Sequence, residues 1–237
     1  MSVNKINLYN NKVNNSNNNL LENDFDKDSI KTKDDLKTGD LILCAGGDGD
    51  SKLDKLIEFA THSPWEHSVM VIKDPWWCEQ QLYGLYVFQS GTGPNGYKDI
   101  LNGNVTGVTL NRLGDFLANR HRIYVKSLEN YVFDQEKKDN FVKAFKKSHG
   151  KPYDSNIYSW IGTGINAFFC NMCKCCATES TPRTTKTFWC SALVAFMYVK
   201  MGVYNKNLDW SCQTPENLDV SKCEEPYSFS KLWLLKK

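Results

Sequence analysis

An α+β fold, an antiparallel sheet packed against helices, is predicted by three observations. Strand-like runs rich in β-branched and aromatic residues follow one another through the first half of the chain. Apolar residues recur at helical spacing in two charged segments. A strongly apolar, helix-compatible run, Cys190-Ser191-Ala192-Leu193-Val194-Ala195-Phe196-Met197, follows the β/aromatic tripeptide Thr187-Phe188-Trp189.

The first element is expected at Leu41-Ile42-Leu43, after the turn residues Thr38-Gly39-Asp40. A solvated turn at Gly46-Gly47-Asp48-Gly49-Asp50 follows; its acidic spacing lacks the closing Glu of a calcium loop. Ser51 is a fair N-cap for an amphipathic helix over Lys52 to Ala60, with apolar positions 53, 56, 57 and 60. Thr61 to Glu66 breaks that helix, and His67-Ser68-Val69-Met70-Val71-Ile72 reads as a buried strand. Further strands are expected at Tyr83 to Ser90, near Val105 to Leu110, and at Arg122 to Lys126. Three or four strands in succession imply antiparallel pairing. From Asp134 to His149, Phe141, Val142 and Phe145 on a charged background predict a surface helix ended at Gly150. Gly202 is the expected stop of the helix that opens at Cys190, and Thr214-Pro215-Glu216-Asn217-Leu218 reads as a capped turn.

A chain of 237 residues with 41% hydrophobic content can bury one good core. Residues 31–237 are read as one domain, with an aromatic and Cys-rich insert near 157–185. Residues 1–30, with Asn10-Asn11 and Asn14-Asn15-Ser16-Asn17-Asn18-Asn19, form a polar low-complexity tail expected to be disordered. Such Asn usage suits an AT-rich genome, as in large viruses and protists. Net charge is +2, from 29 basic and 27 acidic residues, so nothing global argues for nucleic acid. The sequence has no apolar run of about 18 residues and no apolar leader at its amino terminus. The expected compartment is the cytoplasm, with virion association if the source is viral.

Nine cysteines is an odd count with uneven spacing, which in a reducing compartment implies thiols or metal ligands, not a disulfide framework. Cys170-Asn171-Met172-Cys173-Lys174-Cys175-Cys176 invites a zinc reading, but adjacent cysteines strain joint ligation and no second pair matches them. S-acylation is an alternative, because apolar residues from Trp160 to Phe169 flank the cluster. On that reading 157–176 is a peripheral membrane contact. An unmodified loop lining the groove beside Cys190 is preferred. Neither a metal nor a cofactor is expected.

Cys190 is placed on the first turn of its helix, where unpaired N–H groups and the positive end of the helix dipole favour thiolate. A thiolate nucleophile needs a proton shuttle. Of four histidines, His67 is the one in a rigid setting; His62 precedes Pro64 on a loop. Cys190 and His67 are the minimum apparatus for acyl transfer through a thioester.

Five strings, taken in order, resemble one family. They are Thr38-Gly39-Asp40-Leu41-Ile42-Leu43, the segment Ala60 to Ile72, Gly150-Lys151-Pro152-Tyr153-Asp154, Trp189-Cys190-Ser191-Ala192-Leu193-Val194, and Thr214-Pro215-Glu216-Asn217-Leu218. Together, over residues 36 to 220, they are similar to the permuted papain-like cysteine hydrolases, the YiiX/YebB-like and poxviral branch of the NlpC-type superfamily. The resemblance implies a circularly permuted papain-like fold with the histidine strand ahead of the cysteine helix. It implies Cys190 as nucleophile, His67 as catalytic histidine and Gln89 as the residue that orients the imidazole. That last position is often Glu in the family, and a neutral amide stabilises an imidazolium less than a carboxylate does.

The function expected on this basis is hydrolysis of an amide or ester bond in a peptide, amide or acyl-lipid substrate. Lipid acyl transfer or phospholipase chemistry, and a catalytically inactive binding module, are the rival readings. The oxyanion would be held by the Cys190 N–H and a neighbouring donor. Tyr153, Ser191 and Trp65 are the substrate or oxyanion candidates. Trp76 and Trp77, with Trp65 near His67, either wall an acyl pocket or belong to the core.

Overall fold

The computed structural model describes residues 32–45, 64–92, 97–118, 120, 122–154 and 184–235. The expected amino-terminal tail, the helix over Lys52 to Ala60, nearly all of the insert and the Cys170 to Cys176 cluster lie outside the described residues. So do His62 and His121.

Eight strands and four α-helices occur among the described residues, in a mixed α+β arrangement. The strands are β1 (Leu41–Ala45), β2 (Trp65–Lys73), β3 (Leu85–Thr92), β4 (Thr106–Arg112), β5 (Arg122–Lys126), β6 (Leu128–Glu129), β7 (Ser228–Phe229) and β8 (Trp233–Leu234). The helices are α1 (Leu113–Ala118), α2 (Gln135–Ser148), α3 (Cys190–Met201) and α4 (Pro215–Val220). Six strands form one sheet in the order β4-β3-β2-β1-β5-β8, and β6 pairs with β7. Every pairing between these strands is antiparallel.

Alternation along the strands gives the sheet two apolar faces. Leu41, Leu43, Met70, Ile72, Tyr86, Phe88, Val108 and Leu110 share a core with Phe141, Phe145 and the length of α3. Ile42, Cys44, Val69, Val71, Val87, Ile123 and Val125 pack on the other face with Phe116 of α1 and Trp233. Because both faces are covered, the strands read as nearly unbroken apolar runs. This also explains why α3 is apolar on all sides: eleven of its twelve residues are buried. Gly202 ends α3 in the left-handed region, at φ 75°, where its missing Cβ removes the steric penalty.

α2 begins at Asp134, whose side chain accepts from the Lys137 N–H at 2.9 Å. Its apolar stripe brings Phe145 to 4.7 Å from Phe88, centroid to centroid. Trp77 packs against Phe141 and Phe145, and Trp76, 41% exposed, sits at the edge of the same aromatic group. Both tryptophans therefore belong to the packing of the β2–β3 connection on α2. The Thr214 turn is the capping box of α4: Thr214 Oγ1 accepts from the Asn217 N–H at 3.0 Å, and Asn217 Oδ1 accepts from the Thr214 N–H at 3.0 Å.

The buried carboxylate of Asp99 organises the turn before β4. It accepts from the N–H groups of Leu101, Asn102 and Leu110, and Oδ2 lies 2.8 Å from His149 Nε2. Burial alone would raise its pKa; the bonds from His149 and from the Leu110 and Asn102 N–H groups outweigh burial and lower it. The stability Asp99 contributes is thus fully present above its unfolded value of about 3.9 and is lost as pH falls through the lower folded value. Asp99→Asn should lower stability at neutral pH by about 1–3 kcal/mol and flatten the acid limb of denaturant-melt stability against pH. A second expectation concerns Gly107, at φ +88°, where a Cβ would stand 2.4 Å from the Lys151 carbonyl oxygen. Gly107→Ala should destabilise by about 1 kcal/mol or more, read as a lower thermal midpoint.

Candidate active site

The ladder between β2 and β3 ends at the pair Met70–Phe88. Beyond it, β2 continues to Trp65 against β1, and β3 continues to Thr92 against β4. β2 and β3 therefore part, and the chain entering α3 meets both. Ser90 Oγ donates to the Phe188 carbonyl at 2.6 Å, and two residues later Cys190 brings its sulfur to Ser68. Ser68 directly follows His67, so the nucleophile candidate abuts the main chain of the histidine strand.

Trp189 is the N-cap of α3 and supplies no side-chain cap, which leaves the first-turn N–H groups without that partner. Burial is the largest influence on the Cys190 thiol and pushes its pKa up. The N–H groups of Ser68 and Ser191 act against burial by favouring the anion. The Ser68 hydroxyl acts in the same direction, although it makes no hydrogen bond of ordinary geometry. Helix position alone predicts a depressed thiol. With Cys190 only 7% exposed, desolvation wins, and the resting group is a neutral thiol.

His67 stands opposite Cys44 on β1, and its ring lies 6.2 Å from that of Phe116. Gln89 Oε1 is 2.9 Å from His67 Nε2, in a buried contact that spans the parted strands. The resemblance assigned Gln89 to the ring, and the two side chains do meet. Cys44 is buried as well, and its thiol is pushed up to about 12, chiefly by burial and against the pull of Arg120. Arg120 pairs with Glu66 at 2.7 Å. His149 is committed to Asp99.

The three auxiliary candidates fall in different places. Trp65 is fully buried; its indole N–H donates to Asp219 Oδ2 at 2.9 Å and its ring packs edge-on against Tyr124. It is a core residue tying β2 to α4, with no surface to offer a substrate. Ser191 is 1% exposed and its hydroxyl donates to the Gln213 carbonyl at 2.6 Å, so its side-chain proton is used there. Its backbone N–H remains next to the sulfur. Tyr153 is half-buried and bridges through its main chain to Phe188, two residues before Cys190. Sequence reasoning overlooked Thr109 and Asn111, whose side chains touch each other or Gln89; their alternation with Val108 and Leu110 on a strand was the available signal.

Among the described residues no group of three or more His, Cys, Asp or Glu side chains could hold a metal ion, and no helix is long and apolar enough to cross a membrane. No protein-family model matches the sequence, and no curated protein matches it.

The thiolate absorbance lost on replacing Cys190 with Ser should disappear from the alkaline part of a pH titration, above the ordinary cysteine range. The component lost with Cys44→Ser should lie near 12. A Cys190 component titrating in the acid range would contradict the assignment of a neutral resting thiol.

Proposed function

We propose that the protein is a cysteine hydrolase of circularly permuted papain-like, NlpC-type fold that cleaves an amide or ester bond through a thioester on Cys190. The observation that carries this reading is the buried Gln89–His67 hydrogen bond at Nε2, one residue from the strand position that receives the Cys190 sulfur. The order of elements supports it too: a histidine strand central in an antiparallel sheet, then a cysteine at the start of a buried helix.

In the proposed reaction His67 Nδ1 takes the Cys190 thiol proton as sulfur attacks the acyl carbonyl. The tetrahedral oxyanion is held by N–H groups of the first turn of α3. The protonated ring then gives its proton to the departing amine or alcohol, leaving an acyl thioester and neutral imidazole. Water attacks the thioester with His67 again as base, releasing the acid and restoring the thiol. An acceptor alcohol or amine in place of water would give acyl transfer with the same residues.

Because the resting thiol is neutral, acylation depends on the base. An activated ester should place its acyl group on Cys190, located by peptide mass spectrometry. His67→Ala should slow that acylation by about 100-fold or more, and Cys190→Ser should remove the thioester. Equal acylation of the wild type and His67→Ala would overturn the reading.

A further inference from the structure

We infer that Asn111 is a positioning residue that sets the neutral tautomer of His67 through Gln89. This rests on the reading of His67 as the base. Asn111 Nδ2 lies 3.1 Å from the carbonyl oxygens of both Tyr97 and Lys98. Main-chain carbonyls only accept, so this end of the amide must be the NH2 group. Asn111 Oδ1 consequently faces Gln89, 2.7 Å from Nε2, and also accepts from Thr109 Oγ1 at 2.8 Å. A flipped Gln89 would set two acceptor oxygens against each other at that distance. Gln89 must therefore present Oε1 to the ring, and His67 Nε2, at 2.9 Å, must carry the hydrogen.

The direction of donation thus runs one way, from His67 to Gln89, to Asn111, to two backbone carbonyls. The neutral ring holds its lone pair on Nδ1, and protonation there leaves every bond of the chain intact. The arrangement is pre-set for a base that gains and loses a proton at Nδ1. It also accounts for Gln at position 89: a carboxylate there would oppose Asn111 Oδ1 with no hydrogen between them. The carbonyls at 97 and 98 belong to the turn that buried Asp99 ties together, so the orientation is anchored in the main chain.

The test is a long-range proton–nitrogen NMR correlation of the full chain labelled at histidine, recorded above the ring titration, with His67 assigned by its loss in His67→Gln. The wild type should show the Nε2–H tautomer. Asn111→Leu frees the Gln89 amide to turn; the spectrum should then show both tautomers, and acylation of Cys190 should slow roughly 10- to 100-fold. Should the Leu variant fail to fold, Asn111→Ser serves, since a hydroxyl rotates and imposes no direction. An Nδ1–H tautomer in the wild type, or an unchanged tautomer in the folded variant, overturns the inference. The tautomer is read without any turnover, so an absence of acylation in the wild type would instead count against the proposed hydrolase.

Discussion

The candidate site depends on the parting of β2 and β3 beyond the Met70–Phe88 pair. A continuous ladder would run Ser68 alongside Ser90 and seal the sheet. Instead Ser90 binds the Phe188 carbonyl, Ser68 meets the Cys190 sulfur, and His67 reaches Gln89 through side chains. The same gap thus joins helix to sheet and supplies polar groups inside an otherwise apolar layer. Interrupting a central ladder is unfavourable unless the freed groups find partners. Here the entering chain and the side-chain relay provide them.

Two properties that look unfavourable separately are consistent together. Gln89 gives an imidazolium less support than a carboxylate would, and burial keeps the Cys190 thiol protonated. A preformed ion pair would suffer from both. On the proposed reading, a neutral thiol and a neutral ring become charged only as a substrate carbonyl receives the sulfur, and neither property then opposes the reaction. The relay through Asn111 stabilises the ring's orientation without adding a buried charge, whose desolvation is the larger penalty in such surroundings.

Much of this was legible in the residues themselves. Apolar and β-branched runs bounded by turn residues located β2, β3, β4 and β5 to within a few positions, because both sheet faces are covered and apolar content is high. Phe141 and Phe145 on a charged background identified α2, and Gly202 its neighbour's end. The helix α1 was missed, since six residues with a glycine among them carry no sustained period. The short strands β6, β7 and β8 were missed for the same reason of length. Trp65 stayed open between pocket wall and core because proximity to His67 in sequence says nothing of which face a side chain takes around a register shift, and β1 and β2 shift register between Cys44 and Ala45. The elevated thiol of Cys190 was also not legible: helix position is visible in a sequence, whereas desolvation depends on what the fold packs around the sulfur.

The most direct test of the central claim, that Cys190 and His67 act as one unit, is the rate of Cys190 acylation as a function of pH with and without His67. The account predicts that the wild-type rate rises as the imidazole loses its proton and then levels, while the variant's rate follows thiolate alone and climbs only in alkali. Superimposable profiles would contradict it, since sulfur would then be reacting without help from the ring.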